Sequence, residues 1–203
     1  RIELNTDTKL VVRFSDKERR IELVHGEALF DVAHDEARPF VVEADGRTVR
    51  AVGTKFSVRA DAGALTVLVV EGVVAVSPPA SASGQKSDPL PHLKAGQRLD
   101  LAGETPALAA LPAAEVERNL SWRKGWLEFN GQALSLAAGE VTRYTGVRFA
   151  IDDPSLGAMP VWAYFRAEDV DGFLASLEQN GPNLVVQRED GLVRLERRSP
   201  SPN

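Results

Sequence analysis

Residues 38–76 read RPFVVEADGRTVRAVGTKFSVRADAGALTVLVVEGVVAV, and how this stretch alternates decides which folds the chain can adopt. Val52, Thr54, Phe56 and Val58 alternate with Gly53, Lys55, Ser57 and Arg59, the period-two pattern of a strand with one buried face. After the turn at Asp61-Ala62-Gly63, the run from Leu65 to Val76 is apolar on both faces. That predicts a central strand covered on both sides. Gly53 and Gly72 lie inside these runs, where a glycine marks a bulge, a corner or a close backbone approach.

Working outward, Leu10 to Phe14 and Arg20 to Leu23 alternate apolar and charged residues around the polar Ser15-Asp16-Lys17-Glu18 turn, a hairpin pattern. Gly26 punctuates the next strand, on which Ala28, Phe30 and Val32 share a face. Pro39 cannot donate to a ladder and places Phe40 at a strand start or edge. Asp45-Gly46 is a tight-turn pair. Glycine recurs in similar settings at His25-Gly26, Glu71-Gly72, Ala95-Gly96 and Lys124-Gly125, with irregular spacing. This predicts a sheet with successive corners, sandwich-like or loosely solenoidal, and an all-β domain over residues 1–101. Ser77 to Pro91 is a Pro/Ser/Gly loop, either a surface insertion or a partner-binding, protease-sensitive segment. Residues 102–120, rich in Ala and Pro without a period, read as a linker.

From Trp122 the pattern changes. Trp126 to Phe129 is strand-like, and Leu134, Ala137, Ala138, Val141 and Tyr144 fall at helical spacing before Gly146 in a C-cap position. Val147 to Ile151 reads as a strand. The plan then repeats: Trp162 to Phe165, a helix with Val170, Phe173, Leu174 and Leu177 on one face, a stop at Asn180-Gly181-Pro182, and a strand from Leu184 to Arg188. Two strand-helix-strand runs predict a duplicated β-α-β unit in a small α+β domain over residues 121–198. Asp190-Gly191 closes a last hairpin, and residues 199–203 form a frayed tail. The fold class predicted for the whole chain is α+β.

The totals exclude several functions. The 203 residues are 43% hydrophobic and 26% charged, with a net charge of −5. That suits a folded protein, and with neither half basic, nothing resembles an electrostatic footprint for nucleic acid. There is no cysteine, hence no disulfide framework and no thiolate metal site. No run of eighteen apolar residues exists, and the chain opens inside a strand-like pattern, as a piece of a longer protein would. His25, His34 and His92 have no metal-ligand spacing, and His34-Asp35-Glu36 reads as a solvated turn. Phosphate loops and nucleophile elbows are absent, and the adjacent acids Asp152-Asp153 and Glu189-Asp190 read as turn residues, which argues against a conventional enzyme, a resident cofactor or a metal.

Two sites remain. At Gly53-Thr54 the Thr54 oxygen is placed to attack an unshielded Gly53 carbonyl if the peptide is strained, shifting the acyl group from nitrogen to oxygen; hydrolysis of the ester then cuts the chain. Such a threonine needs a base, and the sequence names none. The other reading is that Gly53 bends the backbone and Thr54 packs. The second site is aromatic: Trp126, Phe129, Trp162 and Tyr164 are candidates for partner binding, against the alternative that they pack a small core. Alternation puts Trp162 and Tyr164 on one face and Phe165 on the other, with Phe165 expected inward.

The order RPF-V-x-A, VGT-x-F-x-V, V-x-V-x-EG-x-V-x-V and L-x-AGQ resembles the periplasmic part of FecR-type anti-sigma factors, beginning near Arg1 at IELNTDTKLVV and running to about Leu101. The W-x-x-G-x-L-x-F of Trp122 to Phe129 and the F-x-x-x-D-x-x-x-x-L of Phe165 to Leu174 resemble the secretin/TonB short N-terminal (STN) domain that ends such proteins. The chain departs from that pattern at Val161-Trp162-Ala163-Tyr164-Phe165, where relatives often carry Gly before the second Phe. The resemblance implies a single-pass inner-membrane protein whose absent part holds a span and a cytoplasmic domain that engages a sigma factor. It implies a periplasmic location and, as partner, the N-terminal signalling domain of a TonB-dependent outer-membrane siderophore transporter. It also implies release of the sigma factor through site proteases, and self-cleavage at the Gly-Thr of some relatives. A polysaccharide-binding envelope protein is the competing reading.

Overall fold

The structure is a computed structural model and describes residues 1–61, 63–78, 92–102, 105–180 and 184–197. The chain divides into two compact units, residues 1–117 and 118–203.

Unit 1 is built from strands. In chain order they are β1 (Ile2–Leu4), β2 (Lys9–Phe14), β3 (Arg19–Asp31), β4 (Phe40–Ala44), β5 (Arg47–Ala51) and β6 (Lys55–Asp61). β7 (Ala64–Glu71), β8 (Val73–Ser77), β9 (His92–Lys94), β10 (Gln97–Ala102) and β11 (Ala107–Ala110) complete it. They form one sheet in the order β11-β10-β7-β6-β3-β4-β5-β8-β9, with β1 and β2 along the remaining edge of β3. β3 is the hinge of this arrangement. Its first half pairs antiparallel with β2 and parallel with β4, and its second half pairs antiparallel with β1 and β6. Between the halves stands Gly26 at φ +91, where an added Cβ would come within 2.5 Å of the Asp7 carbonyl and the Thr8 hydroxyl.

The same device recurs wherever the chain passes from one limb of the sheet to the other. Gly53 lies between β5 and β6, Gly72 between β7 and β8, and Gly96 between β9 and β10, each at positive φ. Corners pack on corners: Ala95 N–H donates to the Gly72 carbonyl at 3.1 Å, Gly96 N–H to Val69 at 2.9 Å, and Val32 N–H to Thr54 at 2.9 Å. At Gly26, Gly53 and Gly72 no Cβ fits between the stacked corners, and at all four glycines positive φ is costly for other residues. The sheet turned back on itself encloses one core that includes Ile21, Leu23, Phe30, Phe40, Phe56, Val58, Leu65, Val67, Val69, Leu93 and Leu99. Phe56 stacks on Phe30 at 5.3 Å and meets Phe40 edge-on at 6.4 Å.

Two expectations are corrected here. The Leu65–Val76 run is two strands: Gly72 at φ +84 breaks it, sending β7 to pair with β6 and β10 and β8 to pair with β5 and β9. The stretch assigned to a linker contains β11, which pairs antiparallel with β10 from Gln97↔Ala110 to Asp100↔Ala107, and α1 (Ala113–Asn119). All four β11 side chains are exposed, so an edge strand of this kind leaves no burial pattern to read. The Ser77–Pro91 loop beyond residue 78, the stop at residues 181–182 and the 199–203 tail lie outside the described residues.

Unit 2 holds β12 (Trp126–Ala133), α2 (Leu134–Thr145), β13 (Arg148–Ala150), α3 (Pro154–Gly157), β14 (Pro160–Arg166), α4 (Val170–Asn180), β15 (Leu184–Glu189) and β16 (Leu192–Arg197). Leu134, Ala137, Ala138 and Val141 are buried on one face of α2. Its first amide donates to the Met159 carbonyl at 2.8 Å, and Gly146 at φ +73 ends it with a bond to Thr142. Asp169 caps α4 by accepting from the Gly172 amide at 2.8 Å. The strand-helix-strand order occurs twice, but the pairing is not that of two β-α-β units. β12 pairs with β14 in one ribbon, and β13 pairs parallel with β16, which pairs with β15. Each run therefore places its two strands in different sheets, and the helices pack between them on a core centred on Phe129, Phe165, Phe173 and Leu177.

Candidate functional site

Two places carry the candidate residues. The first is the outer face of the β12–β14 ribbon. Along β12 the pattern from Trp126 alternates half-buried, buried, half-buried, buried; along β14, Val161 and Phe165 point inward. The register sets Trp126 opposite Arg166, Glu128 opposite Tyr164, and Asn130 opposite Trp162. These six side chains share the outer face, because residues directly opposite in a ladder point the same way. Trp162 is 52% exposed and Tyr164 61%. The Tyr164 ring lies parallel to the Trp126 indole, centroids 4.5 Å apart, and the Arg166 guanidinium carbon is 4.5 Å from that same ring. Gly131, at φ +87, is the extra residue of a bulge in β12, and Trp162 covers it: a Cβ there would touch the indole at 3.8 Å.

Phe129 does not belong to this face. It is buried and packs against Phe165 at 5.9 Å and Phe173 at 6.2 Å. Its position, odd relative to Trp126 along the strand, sends it inward, so its assignment to partner binding is corrected to core. Arg166 was missed, since a charged residue at a strand end reads as ordinary surface; its place opposite Trp126 follows only from the register.

The second place is Gly53-Thr54. The regular strand starts at Lys55, and residues 52–54 form the corner before it. Gly53 has φ +68, and a Cβ on it would stand 2.7 Å from His34 Nδ1. Thr54 is buried, its Oγ1 has no hydrogen-bond partner among the described residues, and its methyl faces Gly72. His34 Nε2 lies 3.5 Å from a Glu36 oxygen, on the exposed side. The tertiary structure thus sets an imidazole against Gly53, nineteen positions away in sequence, which spacing does not reveal. No hydrogen bond joins His34 to the Thr54 hydroxyl.

Elsewhere, among the described residues, no three His, Asp or Glu side chains gather as a metal would require, and no helix is long and apolar enough to cross a membrane. Glu18 is held below the ordinary carboxylate range by its hydrogen bond from Arg20, and Asp153 by the hydroxyl and amide of Ser155, which it caps. Both are structural positions.

Residues 1–75 match the family model described as FecR protein. No curated protein matches the sequence. Two crystal structures, each of a candidate anti-sigma factor from Parabacteroides distasonis, share the fold: one at TM-score 0.80 and 19% identity, the other at 0.78 and 20%, each alignment covering 98% of this chain and 90% of the other. Residues 1–75 are therefore FecR-like by sequence, and almost the whole chain shares the fold of these two solved structures.

Proposed function

We propose that this chain is the signal-receiving region of a sigma-factor regulator, located in the periplasm and anchored by a segment outside residues 1–203. Its partner is the N-terminal signalling domain of a TonB-dependent siderophore transporter, met by unit 2, which we read as a short domain of the same STN class. Transporter occupancy changes this contact, and stepwise proteolysis by site proteases then frees the sigma factor. Occupancy matters only if the two transporter states bind differently. The FecR match supports the regulator class, and one observation carries the binding role: two large aromatics lie half or more exposed on one ribbon face. Exposed Trp and Tyr are enriched where proteins meet proteins. Titrating the purified chain with a transporter signalling domain tests this. Saturable 1:1 binding is expected; indifference to that domain together with binding of chito-oligosaccharides would transfer the chain to the polysaccharide reading.

We propose in addition that Gly53-Thr54 is the place where the chain would process itself, a reading supported by the unpartnered Thr54 hydroxyl. Thr54 Oγ attacks the Gly53 carbonyl carbon, the C–N bond breaks, the hydroxyl proton passes to the freed amine, and water then hydrolyses the ester. Intact mass after prolonged incubation is expected to resolve two fragments in the parent and one unbroken mass in Thr54→Ala. A single unbroken mass in both removes the reaction and leaves Thr54 a packing residue.

A further inference from the structure

The outer face of the ribbon is graded, apolar at Trp162 and cationic at Arg166. The distance from one to the other along β14 is about 14 Å at the rise of an extended strand. Glu128, the acid of this face, is engaged by Arg118 at 3.7 Å. Arg166 has no carboxylate partner among the described residues, and neither does exposed Lys124, which precedes Gly125, whose Cβ position is 4.0 Å from Arg166 Nη1. In a chain of net charge −5, Arg166 thus stands at the end of an aromatic row with no acid paired to it among the described residues. Stacking on Trp126 already restricts the Arg166 guanidinium, so little further side-chain entropy is lost when a carboxylate meets its fork. The Trp162 indole is likewise backed by the Gly131 bulge.

We propose that the partner lies across this face rather than adding a strand at its edge. It presents an apolar side chain over Trp162 and Tyr164 and a carboxylate to Arg166: the occupant is an acidic, apolar segment of a protein. This rests on the reading of the chain as a partner-binding module and supplies the chemistry of the contact. Charge complementarity selects the occupant, because a neutral glycan on the same rings offers Arg166 hydroxyl and carbonyl acceptors but no counter-charge for its partly desolvated guanidinium.

The test is selection of random dodecapeptides on the immobilised full chain, followed by titration of the enriched peptides, with chito-oligosaccharides as a separate probe. Peptides joining Asp or Glu to Trp, Phe or Leu are expected. Their affinity should fall about thirtyfold for Trp162→Ala and about tenfold for Arg166→Gln, with Arg166→Lys restoring part of the loss and added salt weakening the parent complex. Both residues are exposed, so unchanged far-ultraviolet circular dichroism is expected for every variant. Absence of enrichment, enriched peptides without an acid, peptides that bind Trp162→Ala unchanged, or chito-oligosaccharides that require Trp162 each overturn the proposal. The same variants titrated with the transporter signalling domain separate the two readings. Acidic peptides that bind where that domain does not remove the transporter and keep the face. A domain that binds every variant equally keeps the transporter and removes the face.

Discussion

Thr54 carries a hydroxyl that the fold buries without a hydrogen-bond partner among the described residues, at a corner where it follows Gly53 and its methyl faces Gly72, both glycines at positive φ. Burying such a group costs roughly 1–3 kcal/mol, so Thr54→Val, similar in shape and free of the hydroxyl, is expected to be neutral or to stabilise unit 1 by up to about 1 kcal/mol in urea unfolding. A loss of stability would mean that the hydroxyl is paired after all. A helix-ending glycine and a corner glycine separate two costs. At Gly146, φ +73 with open space around it, Gly→Ala adds only the conformational cost of about 1 kcal/mol. At Gly72, φ +84, the new Cβ also stands 2.7 Å from the Thr54 methyl, and the expected loss is larger, about 2–4 kcal/mol. Equal losses at the two sites would show that the stacked corners give way freely.

Among the elements, α3 tests the electrostatics best. Asp153 accepts from the Ser155 amide at 2.8 Å and hydroxyl at 2.7 Å, and Arg197 on β16 reaches it at 3.1 Å. These bonds favour the ionised carboxyl and lower its pKa in the folded chain. A depressed folded pKa contributes stability that is present above the unfolded pKa and is lost as pH falls through the folded one. Unit 2 is therefore expected to lose stability below the ordinary aspartate range, and Asp153→Asn to flatten that part of the curve while lowering stability at neutral pH. Thermal midpoints taken across the acid range read the effect; parallel curves for parent and variant would remove the cap from the account. The elements also differ in how openly they were written in sequence. The α2 face is legible because Leu134, Ala137, Ala138 and Val141 repeat at helical spacing and all four are buried. β11 was not, because Ala107 to Ala110 neither alternates nor buries a side chain, and its place in the sheet is owed to backbone bonds with β10. The break between β7 and β8 was hidden by an unbroken apolar run in which only Gly72 departs from strand geometry.

On the scale of the whole molecule, the described residues form two cores that share no residue, one around Phe56 and the other around Phe173, both rings fully buried. Truncating either to Ala should cost about 3–5 kcal/mol, through lost burial and the cavity left behind. In the double variant the two losses are expected to add to within about 0.5 kcal/mol, with each single variant lowering a different calorimetric transition. Clear non-additivity would make the chain one cooperative body.

What the amino-acid order determined alone was local: alternation at Phe56 and Val58, the buried stripe of α2, and glycines at the places where strands must turn. Those features follow from side-chain period and backbone freedom, which a short window contains. Only the tertiary structure decided which elements meet: that β12 pairs with β14, so that Arg166 faces Trp126, that Phe129 turns into the core, and that His34 rests against Gly53. Register and corner stacking are set by contacts between residues far apart in the chain, and a pattern of neighbours in sequence does not carry them.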